Sequence, residues 1–172
     1  MAFTLKLDGL EQTLKKLEKM DDEVKADVDD EIGASVMEME LSAKRFAPVN
    51  DGILKNSISS KKVKLMEWEL VSAAPYSAYM EFGTKSKFDN VNGYEQLAAA
   101  AKGKGSGNYK KFLDSLTRWV EKKISKKDAR NIAFLIARKI LIYGVKGNHY
   151  FTRGIEAHRG KMIENIKKVI NK

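Results

Sequence analysis

Histidine, carboxylate and glycine are the residue types through which this sequence could do chemistry, and their spacing decides how far each can go. The chain has no cysteine, which excludes a disulfide frame, a thiolate nucleophile and a cysteine-based zinc or iron-sulfur site. Its two histidines, His149 and His158, have no second His or carboxylate at metal-ligand spacing and read as surface or helix-end imidazoles. No Gly-x-Ser-x-Gly or His-Glu-x-x-His motif occurs. Asp51 and Glu81 are two carboxylates that folding could in principle unite as an acid and base pair, although nothing in their surroundings favours it. The run Lys102-Gly103-Lys104-Gly105-Ser106-Gly107 has the composition of a phosphate cradle. It lacks the Gly-x-x-x-x-Gly-Lys-Ser/Thr pattern and a buried strand leading into it, so it reads as a surface loop. The expectation is no catalytic residue, no metal, no cofactor and no enzymatic activity.

Two turn-rich motifs stand out instead. The first is APVNDGILKNSI, residues 47–58, in which Pro48 stops a helix, Asp51 and Gly52 make a tight turn and a strand follows. The second is PYSAYMEFGT, residues 75–84, a strand exit into an aromatic turn closed by Gly83 and Thr84. Tyr76, Tyr79 and Phe82 are close enough in sequence to form an apolar pad whose hydroxyls stay wet, which suits a core edge or a partner surface. Glu81 stands among them.

The elements that must hold these turns follow from periodicity. Phe3, Leu5 and Leu7 alternate with polar residues as a short strand ended by Asp8-Gly9, and a short helix is expected from Leu10 to about Lys19. Asp21 or Asp22 is placed to cap a long helix. Its inner face is Val24, Val28, Ile32, Val36, Met39, Ala43 and Phe46, with the acidic run Asp21, Asp22, Glu23, Asp27, Asp29, Asp30, Glu31 toward solvent. Period-two alternation from Leu54 to Ala74 predicts two or three antiparallel strands with an exposed bend at Lys61, Lys62 and Lys64. Residues at about 85–110 read as a flexible loop or insertion within one domain spanning 1–172. Three helices complete the chain. Phe112 to Ile124 marks the first. Ala129, Ile132, Ala133, Ile136, Ile140 and Tyr143 give the second its apolar face, with Ser125-x-x-Asp128 as a capping box and Gly144 as its close. The last runs from about Arg153 to Ile170, with Ile155, Met162, Ile163, Ile166 and Val169 on one side. The predicted class is α+β: a small antiparallel sheet flanked by a long N-terminal helix and several C-terminal helices.

Charge is unevenly distributed. Of 172 residues, 43% are hydrophobic and 32% charged, enough to fill a core and too mixed in sign for wholesale disorder. Residues 1–43 carry 5 Lys and 12 acids, net −7, whereas residues 44–172 carry 27 basic and 11 acidic residues, net +16. The basic part suits either a solvated lysine surface or a nucleic acid partner. With 26 Lys against 6 Arg, bidentate phosphate or base recognition is the weaker reading. Opposite-signed ends also suit self-association, an acidic face of one copy meeting a basic face of the next as a ring or filament. The opening MAFTLKLDGL predicts no signal peptide, and the most apolar stretch, Ile132 to Ala137, is cut off by Arg138 and Lys139, which predicts no membrane span.

The two turn motifs, in this order behind a long helix and before a C-terminal helix with an aromatic start, resemble the tailed-phage head-tail joining family, also called tail-completion or neck proteins. Members typically show Ala-Pro-x-Asp-Thr-Gly-x-Leu-x-x-Ser and, later, Tyr-Ala-x-Tyr-x-Glu-Phe-Gly-Thr. Here Asn50-Asp51 replaces the usual Asp-Thr, and the segment Asn148 to Arg153 lacks the family's common Pro. The resemblance implies a non-enzymatic virion protein of the neck, formed in the host cytoplasm and joining a head-side connector or stopper to a tail terminator or tail tube. It further implies a homo-oligomeric ring, usually six-fold, through which DNA passes without sequence recognition. Pro48, Asp51, Gly52, Tyr76, Tyr79, Glu81, Phe82, Gly83 and Thr84, with Asp27, Asp30 and Glu31 of the acidic helix, are the expected interface residues. The alternative is a basic DNA-binding protein of phage or host origin; a hydrolase using Asp51 and Glu81 is a further one.

Overall fold

The computed structural model describes residues 3–5, 21–89, 91–101 and 108–171. It is α+β, a small antiparallel sheet with a long N-terminal helix and several C-terminal ones. The chain divides into two compact units, Met1–Glu81 with His149–Lys172, and Phe82–Asn148.

The first unit contains β1 (Phe3–Leu5), α1 (Asp22–Phe46), a single turn α2 (Ile53–Asn56), β2 (Ile58–Lys64), β3 (Glu67–Ser72), α3 (Ser77–Phe82, as far as Glu81) and α7 (Tyr150–Ile170). Sheet order is β1-β3-β2, with Phe3 and Ile58 both opposite Ser72. The expected turn at Asp8-Gly9 and the helix from Leu10 to Lys19 lie outside the described residues. α1 buries Val28, Ile32, Val36, Met39 and Ala43, the stripe that a repeat of three and four dictates. It ends at Ala47, whose extended backbone is what the following Pro48 requires. The most extensive pairing of helices is α1 with α7. Their backbones approach so closely at Gly154 that a Cβ there would lie 2.5 Å from the Ala43 amide nitrogen. The core is completed by Leu54, Ile58, Leu70, Tyr150, Phe151, Ile155, Met162 and Ile166.

Several local expectations are corrected. Asp21 occupies the N-cap position of α1, but its side chain makes no capping hydrogen bond; Asp22 pairs with Lys25 at 3.0 Å. Leu54 and Asn56 sit on the helical turn α2, not on a strand, because Gly52 adopts φ 76 and its carbonyl accepts the Asn56 amide at 2.8 Å. Lys61, Lys62 and Lys64 lie within β2, and the bend falls at residues 65–66. Lysines on this edge strand deter pairing with another sheet. α7 begins at Tyr150, three residues before the expected Arg153, and Ile163 is 37% exposed.

The second unit holds a 3-10 turn (Lys85–Lys87), α4 (Glu95–Ala101), α5 (Tyr109–Lys123) and α6 (Ala129–Tyr143). The alanine run forms α4, as the strongest helix former should; the glycine run 102–107 lies outside the described residues. Asn108 caps α5 by accepting the Lys111 amide at 3.2 Å. The capping box before α6 does not form: Asp128 is left-handed with no side-chain cap, and Ser125 instead accepts the Lys127 amide at 3.1 Å. Gly144 does close α6, donating to Ile140 at 2.9 Å. The core here is Leu113, Val120, Ala129, Ala133 and Ala137, flanked by Phe112, Leu116, Trp119, Ile132 and Ile136. Tyr143, expected on the inner face of α6, is 56% exposed.

Candidate functional site

The second turn motif is built around an inward carboxylate. The chain leaves β3 at Ser72, turns at Pro75 and Tyr76, and enters α3, with Ser77 Oγ donating to the Ser72 carbonyl at 3.2 Å. Glu81 is wholly buried. Its Oε2 accepts the Phe151 amide at 2.8 Å, and its Oε1 accepts the Thr152 amide at 3.1 Å and the Thr152 hydroxyl at 2.6 Å. Its backbone carbonyl accepts the His149 amide at 3.2 Å. The amides of a first helical turn have no partner within the helix, and His149, left-handed at φ 56, supplies no side-chain cap to α7. A carboxylate far away in sequence does so, and its charge suits the positive end of the helix dipole. Hydrogen bonds to a charged group contribute about 1.5–3 kcal/mol each. Beside it, the buried Tyr150 hydroxyl meets Ser72 Oγ at 2.8 Å, and burial pushes the phenol far above its usual range, so it stays neutral.

This answers the acid and base question. Glu81 commits both oxygens to a helix end, whereas Asp51 is exposed on the first turn. The two do not form a pair facing a substrate. What comes together is different: Tyr76 reaches the first motif. Burial pushes its phenol up, a hydrogen bond with the Leu54 backbone opposes this, and the Asp51 charge adds to the rise. Leu54, buried, anchors the first turn from beneath, and Ser57 Oγ donates to its carbonyl at 2.7 Å. Pro48, Asp51 and Tyr76 therefore lie on the outside of the first unit, joined from below.

Phe82 leaves the expected aromatic pad: it is buried, with its ring centroid 6.0 Å from that of Phe88, while Tyr79 is half-buried. Gly83, at φ 79, cannot be replaced without collision, since a Cβ would lie 2.5 Å from the Lys87 carbonyl oxygen and 2.6 Å from that of Val145. Thr84 is locked reciprocally to Val145: its amide donates to the Val145 carbonyl at 2.8 Å, and its hydroxyl accepts the Val145 amide at 2.9 Å.

The acidic helix divides in the same way between outside and inside. Asp27 and Asp30 are exposed, and Glu31 accepts from Asn165 at 2.8 Å and Ser35 at 3.3 Å. Asp29, expected toward solvent with its neighbours, is buried. Its oxygens take the Met66 amide at 2.9 Å, the Trp68 indole at 3.1 Å and the Lys62 ammonium. Burial alone would raise its carboxyl, but these hydrogen bonds and the Lys62 charge outweigh that and hold it below the usual range. Glu40 likewise accepts the Ser60 amide at 2.6 Å.

One constellation was invisible in the sequence. Ser42 Oγ lies 2.7 Å from His158 Nε2, and His158 Nδ1 lies 3.1 Å from Glu38 Oε2. Lys161 also bonds Glu38, at 3.2 Å, and its hydrogen bond and charge are the main reason the Glu38 carboxyl is held below its ordinary range. A carboxylate only accepts, so Nδ1 donates to it, and Nε2 is the ring atom that meets the hydroxyl. This is the order of groups in an activated serine. Ser42, however, is buried well inside α1. The amides around it are consumed by the helix. The cluster acts as a polar clamp between α1 and α7, and His158, expected as a surface or helix-end imidazole, lies part-buried in that interface within α7. His149 does stand at a helix end. Among the described residues no group of His, Asp and Glu is arranged to hold a metal ion, and no helix is long and apolar enough to cross a membrane.

Comparison with known families matches residues 11–83 to the HK97-gp10-like family, described as "Bacteriophage HK97-gp10, putative tail-component". Comparisons with curated proteins and with solved structures return no match. The matched stretch contains both turn motifs up to Gly83 and ends where the second unit begins.

Proposed function

On the premise that residues 11–83 belong to a bacteriophage tail-component family, we propose that this chain is a structural protein of the virion neck. It completes the tail by joining a head-side connector or stopper to the tail terminator or tail tube. It acts as one subunit of a ring, six-fold as the resemblance implies, with DNA passing through the centre and read by shape and charge alone. The observation that carries this reading is the way the first turn motif and the second as far as Glu81 are built into one frame within the first unit, Glu81 capping α7 beneath while Asp51 and Tyr76 stand outside. A frame of this kind presents a fixed surface to neighbours. Pro48, Asp51, Tyr76, Asp27 and Asp30 are its exposed members, and we assign the contacts to them. Glu81, being buried, supports the surface without touching a partner. The test is to disrupt the gene and examine particles by electron microscopy, with mass spectrometry of intact virions. DNA-filled heads and separate tails are expected, together with the protein in wild-type particles. Complete, infectious particles without it overturn the reading.

A further inference from the structure

We infer that the outer face of α6 docks on a second copy of this chain, against the outward stripe of that copy's α1; the inference rests on the ring reading above. α6 has 15 residues and turns Ala129, Ala133 and Ala137 to the core of its unit. On its other side Phe134 is 49% exposed, Leu135 63%, Leu141 45% and Ile142 55%. Steps of three, four and seven residues place these four and Arg138 along one stripe. A helix apolar on all sides belongs inside a protein or between proteins. Arg138 and the exposed Lys139 beside it have no carboxylate on their own helix to answer them.

Charge selects the occupant. Asp27, Asp30, Ala34, Met37 and Leu41 recur at three and four residues on the exposed side of α1, with Met37 52% and Leu41 57% exposed. Neither Asp27 nor Asp30 takes part in an ion pair among the described residues. From Asp27 to Leu41 the α1 stripe combines large apolar side chains with negative charge alone, exposed Arg45 following only in the last turn, and the α6 stripe combines them with positive charge. Two α6 faces would oppose Arg138 and Lys139 with like charge, and two parallel α1 stripes would oppose carboxylates. The unlike pairing answers the charges of both, and such a contact repeats from copy to copy, as a closed ring requires.

The absence of cysteine makes introduced thiols clean reporters. Leu135→Cys and Leu41→Cys proteins, mixed under mild oxidation, are expected to give a linked pair, and the double variant a ladder of multiples. A Lys167→Cys control, exposed on α7, should give neither with Leu135→Cys. Reversing the basic patch (Arg138→Glu with Lys139→Glu) should lower the yield about tenfold, and adding Asp27→Lys with Asp30→Lys should restore it. Circular dichroism of each variant checks folding. Yields at the control level overturn the inference, as does self-linking of Leu135→Cys alone. A Leu135→Cys thiol that remains unlinked yet resists alkylation identifies cover by the same chain and overturns it too. If the protein is present in virions while the mixed thiols stay unlinked, only this contact falls. If the links form but the protein is absent from virions, only the neck reading falls.

Discussion

The two units of this chain are stabilised by different means. The first places carboxylates inside: Glu81 on the start of α7, Asp29 beneath the β2–β3 bend, and Glu40 on the Ser60 amide. The second relies on an alanine face of α6 packed against Leu113 and Val120 of α5, and leaves large apolar side chains on its exterior. A buried charge is costly unless fully bonded, so each carboxylate in the first unit admits one arrangement of the segments around it. Apolar packing rewards contact without dictating geometry so strictly. Precision is therefore concentrated in the unit that carries the first turn motif and the second as far as Glu81, and spare apolar surface in the other.

Each unit also holds one of the two tryptophans, Trp68 in the first and Trp119 in the second, so fluorescence can follow them separately. The largest effect is expected from Glu81→Ala, which strands the Phe151 and Thr152 amides inside the protein. We expect a loss of about 2–5 kcal/mol from the buried donors left without an acceptor, read from the urea midpoint of Trp68 in a Trp119→Phe background, with Glu81→Gln costing less. In the second unit, Leu113→Ala should cost about 2–4 kcal/mol by leaving a cavity. It should move the Trp119 transition and leave that of Trp68 in place; equal movement of both would erase the distinction between the units. Asp29→Asn should have the smallest effect, about 1–3 kcal/mol, and it carries a pH signature. Because folding lowers this carboxyl below its ordinary value of 3.8, the stability it contributes is full above that value and is lost as pH falls through the folded-state value. Acid titration of Trp68 fluorescence in the wild type should show that loss below about pH 4, and Asp29→Asn should lack it.

Much of the frame was legible in local pattern. The inner face from Val28 to Ala43 and the paired strands on either side of residues 65–66 follow from periods that a few neighbouring residues reveal. Leu54 and Asn56 were misread because alternation over so short a stretch also fits one helical turn. The partners of Asp29, Glu81 and His158 were not legible, since each lies between 33 and 120 residues away. The early start of α7 was hidden for the same reason, as its cap comes from α3. On α6 both the helix and most of its inner face were plain: Ala129 and Ala133 are buried and Ile132 and Ile136 pack beside them, and only Tyr143 at the end of the helix turns outward. The family match ends at residue 83; beyond it the helices of the second unit were legible only from their apolar spacing and end residues.

The chain departs from the first unit at Glu81 and re-enters at His149, and the hydrogen bond between those residues is 3.2 Å long. Entry and exit points so near each other make residues 82–148 an exchangeable cassette. Evolution can lengthen, shrink or replace such a segment while its host keeps its shape, and an engineer can splice in a tag or reporter there on the same terms. During synthesis the host must wait for its final helix, because the carboxylate that caps α7 emerges from the ribosome well before the amides it will hold.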